Sequence, residues 1–410
     1  MEEEKKLVVG DIVGDDVIQE IRFDGYAKGF HPHQQYGWRR SVDLKFVEEL
    51  SQKHVEKLQQ VSIDPYIDRD DDITIGSDPE IWVCNGDGTI IPACSFLPDA
   101  KKGAASSFNK LLFNDGFQAE FNATPSICIN GVVDSIQQHF DSLLTTAKQK
   151  FPKENVKLVA APIMPVAEPL LMAAKPEHVM MGCLPSKNLY KTRGKPIVDG
   201  REVGIRFAGF HIHIGYRGLT EEQAQRAVRA MDALVALPSV VLVGKSNSEK
   251  LRRDYYGQAG EYRLPKHGLE YRTISATLLK HPVWVHMMFD AARFAFQLGI
   301  RRLFEVHWKT SWEDVRDVVN AANVKEARKI LASEPLFDKY LNLRYSHNAY
   351  YGDVNKYAEA KGLFAGTHKL KSETLEKNWK LGTATYGLGG WGGHSDAENC
   401  NVMKMVCEAA

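Results

Sequence analysis

Short stretches of this chain alternate polar and apolar residues with a period of two, and longer stretches between them repeat apolar residues every third or fourth position. The first pattern belongs to strands, whose successive side chains point to opposite faces, and the second to helices with one buried stripe. In Gly209-Phe210-His211-Ile212-His213-Ile214-Gly215 both imidazoles therefore share one face and both isoleucines the other. Asp78 and Glu80 in GSDPEIWV, Glu120 and Asn122 in GFQAEFN, and Glu270 and Arg272 in LEYRTI repeat the arrangement. Together these pairs predict one polar sheet face assembled from distant segments.

ITIGSDPEIWV turns at Gly86-Asp87-Gly88 and is expected to return through TIIPACSF as a hairpin. FQAEFN, VKLVAAPI, EVGIRFAG and LEYRTISA read as further strands. Helical spacing of Leu44, Val47, Leu50, Val55 and Leu58 predicts a helix over residues 42–59, and Ile136, Phe140, Leu143, Leu144 and Ala147 predict a second, after punctuation by Pro125 and Gly131. A third is opened by a Thr220–Gln223 capping box and stopped by Pro238; a fourth, PVWVHMMFDAARFAFQLGIRRL, is entered through a proline. Residues 162–196, rich in Pro, Met and Gly, read as a long loop bordering a pocket. Ser311 and Asp314 cap the start of a polar helical region that ends in the glycine-rich GLGGWGGH. Hairpins interrupted by long helices give an α+β fold: one antiparallel sheet with helices packed on one face and the other face open. Three regions are expected: an N-terminal extension with a helix (1–70), a main domain (71–305) and a helical C-terminal region with a glycine-rich tail (306–410).

Lys plus Arg equals Asp plus Glu at 52 each, so no global field draws nucleic acid, and an anionic ligand has to be held by a local cluster. Hydrophobic residues at 44% and charged residues at 25% are ordinary globular values and exclude a disordered chain. The N-terminus opens with charge and no apolar run reaches the length of a membrane span, which gives the expectation of a soluble cytoplasmic protein without a membrane partner. Cys84, Cys94, Cys128, Cys183, Cys400 and Cys407 form no CxxC, so zinc-ribbon and thioredoxin readings fail. His31 and His33 flank a proline without a third ligand in view and read as a surface loop.

Glu80, Glu120, His211, His213 and Glu270, if gathered, would repel one another unless neutralised. Carboxylates with one imidazole suit Mg²⁺ or Mn²⁺ better than Zn²⁺. Arg252, Arg253, Arg263 and Arg272, with Lys101, Lys102 and Lys110, are local cations for the phosphates of a nucleotide. The sequence has no GxxxxGK[ST] phosphate loop, no GxSxG elbow and no HExxH helix. An iron facial triad of both histidines with a glutamate is disfavoured by the extra glutamates and arginines.

The set GSDPEIWV, DGFQAEFN, GFHIHIG, YGQAGEYR and LEYRT resembles the phage-type amidoligases, type 2 carboxylate-amine ligases of the glutamine synthetase and glutamate-cysteine ligase superfamily, across residues 73–304. The resemblance implies a curved antiparallel sheet whose concave face binds ATP with Mg²⁺ or Mn²⁺. It implies Glu80, Glu120, His211 and Glu270 as metal ligands. Arg253, Arg263, Arg272 and Lys102 would contact the nucleotide; Arg272, His213 and Glu270 would act in catalysis. One departure is Asp78-Pro79-Glu80, where glutamine synthetases carry two glutamates.

The activity implied is phosphorylation of a carboxylate by ATP, followed by displacement of phosphate from the acyl phosphate by an amine. The substrates would be small-molecule or peptide carboxylates and amines, with homo-oligomer formation left open. Two alternatives accompany it: a guanidino-type kinase, which stops at phosphoryl transfer, and a non-catalytic phage structural or binding protein on a ligase scaffold.

Overall fold

The structure, a computed structural model, describes six short strands between residues 12 and 47, then residues 52–63, 73–99, 112–179, 186–191, 200–345, 354–367 and 373–382. A nine-stranded antiparallel sheet carries the main unit. Across it run Lys187–Asn188, Glu261–Arg263, Gly268–Tyr271, Phe210–Gly215, Thr74–Cys84, Gln118–Phe121 and Leu112–Asp115, with Ala123–Ser126 and Lys157–Val159 also paired to Thr74–Cys84. Proline is unusual within a central strand because it cannot donate to the ladder. Pro79 falls between the Ser77↔Ala123 and Glu80↔Glu120 pairings, where the partner strand changes.

The period-two pattern places Ile75, Ile81, Phe210, Ile212, Ile214, Leu269 and Tyr271 in the core. Against that face lies helix Pro282–Ile300, buried nearly all round, with Phe289 and Phe210 edge-on at 5.3 Å between centroids. Helix Glu221–Met231 packs on it so closely that a Cβ at Gly299 would lie 2.6 Å from the Ala227 Cα. The α+β expectation therefore holds, with helices packed against the apolar side. The polar side is recessed rather than open: Glu80, His211, Glu270 and Arg272 are buried, while Glu120 and His213 are partly covered.

Several elements depart from their sequence pattern. The return strand after Gly86–Gly88 reduces to a bridge between Ile90 and Cys84, because Pro92 lacks a donor and the chain enters a 3₁₀ turn, Ala93–Ser95. Gly131 does not precede its helix but lies in the first turn of Ile129–Lys150. Pro238 does not stop the third helix: a π segment, Asp232–Ala236, shifts the hydrogen-bond register, and Leu237–Val243 continues to Gly244 at φ 78°. The first helix spans only Gln52–Gln59, and Phe46–Val47 pairs in the N-terminal sheet instead. His31 ends a strand, Tyr26–His31, rather than lying in a loop; His33 is outside the described residues. Residues 162–196 include a strand, Ile163–Pro165, and short helices Glu168–Ala173 and Pro176–Val179. The Thr220–Gln223 capping box and the Ser311 cap form as expected. Glycine-rich GLGGWGGH lies outside the described residues.

The C-terminal region packs onto the main unit. Trp379 is buried, donates its indole N–H to the Leu279 carbonyl at 2.6 Å and meets Phe140 edge-on at 5.1 Å. Among the described residues no helix is long and apolar enough to cross a membrane.

Candidate active site

Antiparallel register lines the polar residues up across strands. His211 stands opposite Asp78, His213 opposite Glu270, and Glu270 in turn opposite Arg263. Two residues further along the central strand, Glu80 stands opposite Glu120. The i, i+2 spacing of Asp78 and Glu80 thus sends one carboxylate into each of two neighbouring groups. Asp78, His211 and Glu270 form the first, and Glu80, Asp115 and Glu120 the second; within each, one ligand atom per residue lies within 4.8 Å of the others.

Backbone and ring contacts fix these side chains. The Gly209 N–H donates to Glu80 Oε2 at 2.6 Å, and the Glu80 N–H donates back to the Gly209 carbonyl at 3.1 Å. The Ser77 hydroxyl donates to the His211 carbonyl from the opposite side of the strand. Asp78 Oδ1 lies 3.2 Å from His211 Nδ1 and 3.0 Å from His213 Nε2. His213 Nδ1 lies 3.0 Å from Nε2 of His267, which sits on the turn before Gly268–Tyr271. Arg272 pairs closely with Glu270, and Arg263 approaches the same carboxylate at 3.5 Å.

Charge is unevenly distributed over the face. Burial, reinforced by Asp115, pushes Glu80 up to about 8 despite the Gly209 hydrogen bond. Burial and the charges of Asp115, Asp78 and Glu80 hold Glu120 well above the usual carboxylate range. Around Asp78 burial also raises the carboxyl, but His213 and His211 outweigh it and draw it well below. His211 is pushed down to about 4 by burial and by Arg272, whereas for His213 the pull of Asp78 outweighs burial and raises it. The second group therefore holds protons that a divalent cation would displace.

Both groups fit such a cation. His211 Nδ1 is buried near Asp78 and Glu270 yet makes no hydrogen bond, as a ring nitrogen left for a metal would. The second group offers carboxylate oxygens alone, the donor set of Mg²⁺. Arg272 lowers the carboxyls of the second group as well, but burial and their mutual repulsion outweigh it there, so the second group carries the larger demand for a cation.

Of the residues chosen from sequence, Glu80, Glu120, His211, His213, Glu270, Arg263 and Arg272 come together. Arg253 does not join them: it is buried on helix Asn247–Tyr255, 3.6 Å from Glu249, whose carboxylate also accepts the hydroxyls of Ser275 and Thr277. Lys102, like Lys101 and Lys110, lies outside the described residues. Arg252 is committed to the carbonyls of Thr273 and Ile274. Sequence reasoning placed Asp78 on the face without making it a metal donor, and Asp115 entered only as the first residue of the DGFQAEFN motif. It passed over Tyr256 and His267, although Tyr256 opens the YGQAGEYR motif.

Residues 200–298 match the model of the phage phiEco32-like COOH.NH2 ligase-type 2 family. No curated protein matches the sequence. Among solved structures, a bifunctional glutathione synthetase from Pasteurella multocida is similar at 12% identity and a TM-score of 0.33, over 78% of this chain and 50% of that one. The chain thus spans half the length of that protein. The matched segment, about a quarter of the chain, holds the HxH and ExR strands.

Proposed function

We propose that this protein is an ATP- and Mg²⁺-dependent ligase that joins a carboxylate to an amine through an acyl phosphate, on a glutamine synthetase-like sheet within residues 71–305. The observation that carries the reading is the pair of three-donor groups side by side on one sheet face, flanked by Arg263 and Arg272. Phosphorylating a carboxylate brings two anions together, and that repulsion is the main barrier the site has to offset.

Glu80, Asp115 and Glu120 would hold one divalent ion, and Asp78, His211 and Glu270 a second. Bound there, such ions supply positive charge to the phosphates of ATP and to the carboxylate under attack. Arg272, held against Glu270, would steady the transferred phosphoryl group, and Arg263 would support it from the next strand. The recess that buries Glu80, His211 and Glu270 limits water, which would otherwise hydrolyse the acyl phosphate. The amine attacks unprotonated, and His213, linked to Asp78 on one side and His267 on the other, is the group on this face best placed to accept its proton.

The test is to incubate the protein with ATP, Mg²⁺ and pooled carboxylates and amines, following ADP together with new masses. Products short of one water relative to their two precursors, absent with Glu120→Gln, support the ligase. A phosphorylated product that persists without an amine would instead identify a kinase.

A further inference from the structure

Tyr256 lies outside every role described so far, yet it is the partner of the ring that the first donor group depends on. Its hydroxyl oxygen stands 2.5 Å from His211 Nε2, with the two rings edge-on. A neutral imidazole has one N–H and one lone pair, so the bond made by one nitrogen decides what the other can offer. With Nε2–H donating to the Tyr256 oxygen, Nδ1 keeps its lone pair, directed at the space shared with Asp78 and Glu270. The opposite tautomer would turn an N–H on Nδ1 toward the Asp78 carboxylate 3.2 Å away and leave no lone pair for a metal, so the Tyr256 contact has to hold the ring against it.

The tyrosine is itself braced. The Arg252 guanidinium stacks on its ring at 4.4 Å and is fastened to the carbonyls of Thr273 and Ile274, while Arg272 lies 5.6 Å from the ring centroid. Its backbone N–H caps the preceding helix by donating to the Arg252 carbonyl at 2.8 Å. Space for the contact exists because residue 209 is glycine: a Cβ there would meet the Tyr256 hydroxyl and come within 2.5 Å of His211 Nε2.

We infer that Tyr256 is a positioning residue that fixes the tautomer and rotation of His211, and so confers metal affinity on the group with Asp78 and Glu270 while leaving the all-carboxylate group untouched. The inference rests on the metal-binding part of the proposed function. Outer partners of metal-bound histidines commonly matter by about 10- to 100-fold in affinity, and a loss of about 10-fold is expected here.

The experiment is a Mn²⁺ titration of the metal-free full chain, with free Mn²⁺ followed by electron paramagnetic resonance and bound Mn²⁺ examined for coupling to imidazole nitrogen. Wild type is expected to bind at two sites, one with nitrogen coupling. Tyr256→Phe, which removes only the hydroxyl, should weaken the nitrogen-coupled site about 10-fold, at unchanged affinity of the other. Gly209→Ala, which forces the same two groups apart, should weaken the nitrogen-coupled site at least as much. Equal affinity and undiminished nitrogen coupling in Tyr256→Phe would overturn the positioning role while leaving the metal reading intact. A wild type that binds no Mn²⁺, or none through nitrogen, would overturn both.

Discussion

Glu80 and Glu120 face each other directly across an antiparallel strand pair, and Asp115 adds a third carboxylate to theirs. Like charges opposed on a sheet are destabilising, and the charge of Arg272 nearby does not outweigh burial and mutual repulsion, so all three carboxyls are raised. Such an arrangement is stable either protonated or with a bound cation.

The pH dependence of stability follows from that arrangement. A glutamate titrates near 4.5 when unperturbed, whereas Glu80 in the folded metal-free protein titrates near 8. Between these values the folded state holds a proton that the unfolded state has released, so Glu80 makes stability fall as pH rises through the window. The slope is at most roughly 1.4 kcal/mol per pH unit for one proton. In the presence of chelator, wild type should lose stability relative to Glu80→Gln between those two pH values, measured by thermal melts. Saturating Mg²⁺ should remove most of the difference; parallel profiles for the two proteins would contradict the assignment.

Arg272 and Glu270 form a buried pair, both almost wholly shielded from water. Removing Arg272 leaves Glu270 with only the 3.5 Å contact to Arg263, and breaking a buried pair typically costs about 3–5 kcal/mol. Arg272→Ala should therefore lower unfolding stability by about 3 kcal/mol in urea denaturation at neutral pH. A change below about 0.5 kcal/mol would show the pair to be solvated.

Two arginines chosen alike from sequence should behave differently. Arg253 is tied to Glu249 on its helix, so Arg253→Ala should reduce stability and leave nucleotide affinity unchanged. Arg263 borders Glu270 on the polar face, so Arg263→Ala should weaken binding of a fluorescent ATP analogue by about 10-fold, the effect of losing one charge-assisted contact. The reverse outcome would relocate the phosphate site.

Trp379 is a long-range anchor, since Gln137 donates to its carbonyl and its indole reaches the Leu279 carbonyl. Trp379→Ala should cost about 3–5 kcal/mol, read as a single cooperative transition shifted to lower denaturant. Two separate transitions in wild type would show that the C-terminal region unfolds independently.

Much of the sheet was legible because burial enforces the period of two: Ile212 and Ile214 cannot enter the core without turning His211 and His213 to the other face. Which carboxylates share a donor group was not legible, since that depends on register between segments far apart in sequence. Asp78 joins His211 only through the alignment of Thr74–Cys84 with Phe210–Gly215, and Asp115 joins Glu80 only through the hairpin closed at Gly116. Pro238 misled because its missing N–H is absorbed by a preceding π segment, which composition does not reveal. Arg253 misled because a charge beside a phosphate-type motif is equally suited to a buried helix pair.

The central claim is that this face activates a carboxylate by phosphorylation, and heavy-oxygen labelling tests it most directly. With ATP, Mg²⁺, an amine pool and carboxylates labelled in both oxygens, mass spectrometry of the released phosphate should show one label per phosphate, formed in step with ADP and lost in Glu120→Gln. Unlabelled phosphate alongside ADP would mean that ATP is cleaved without passing through an acyl phosphate, and would contradict the account.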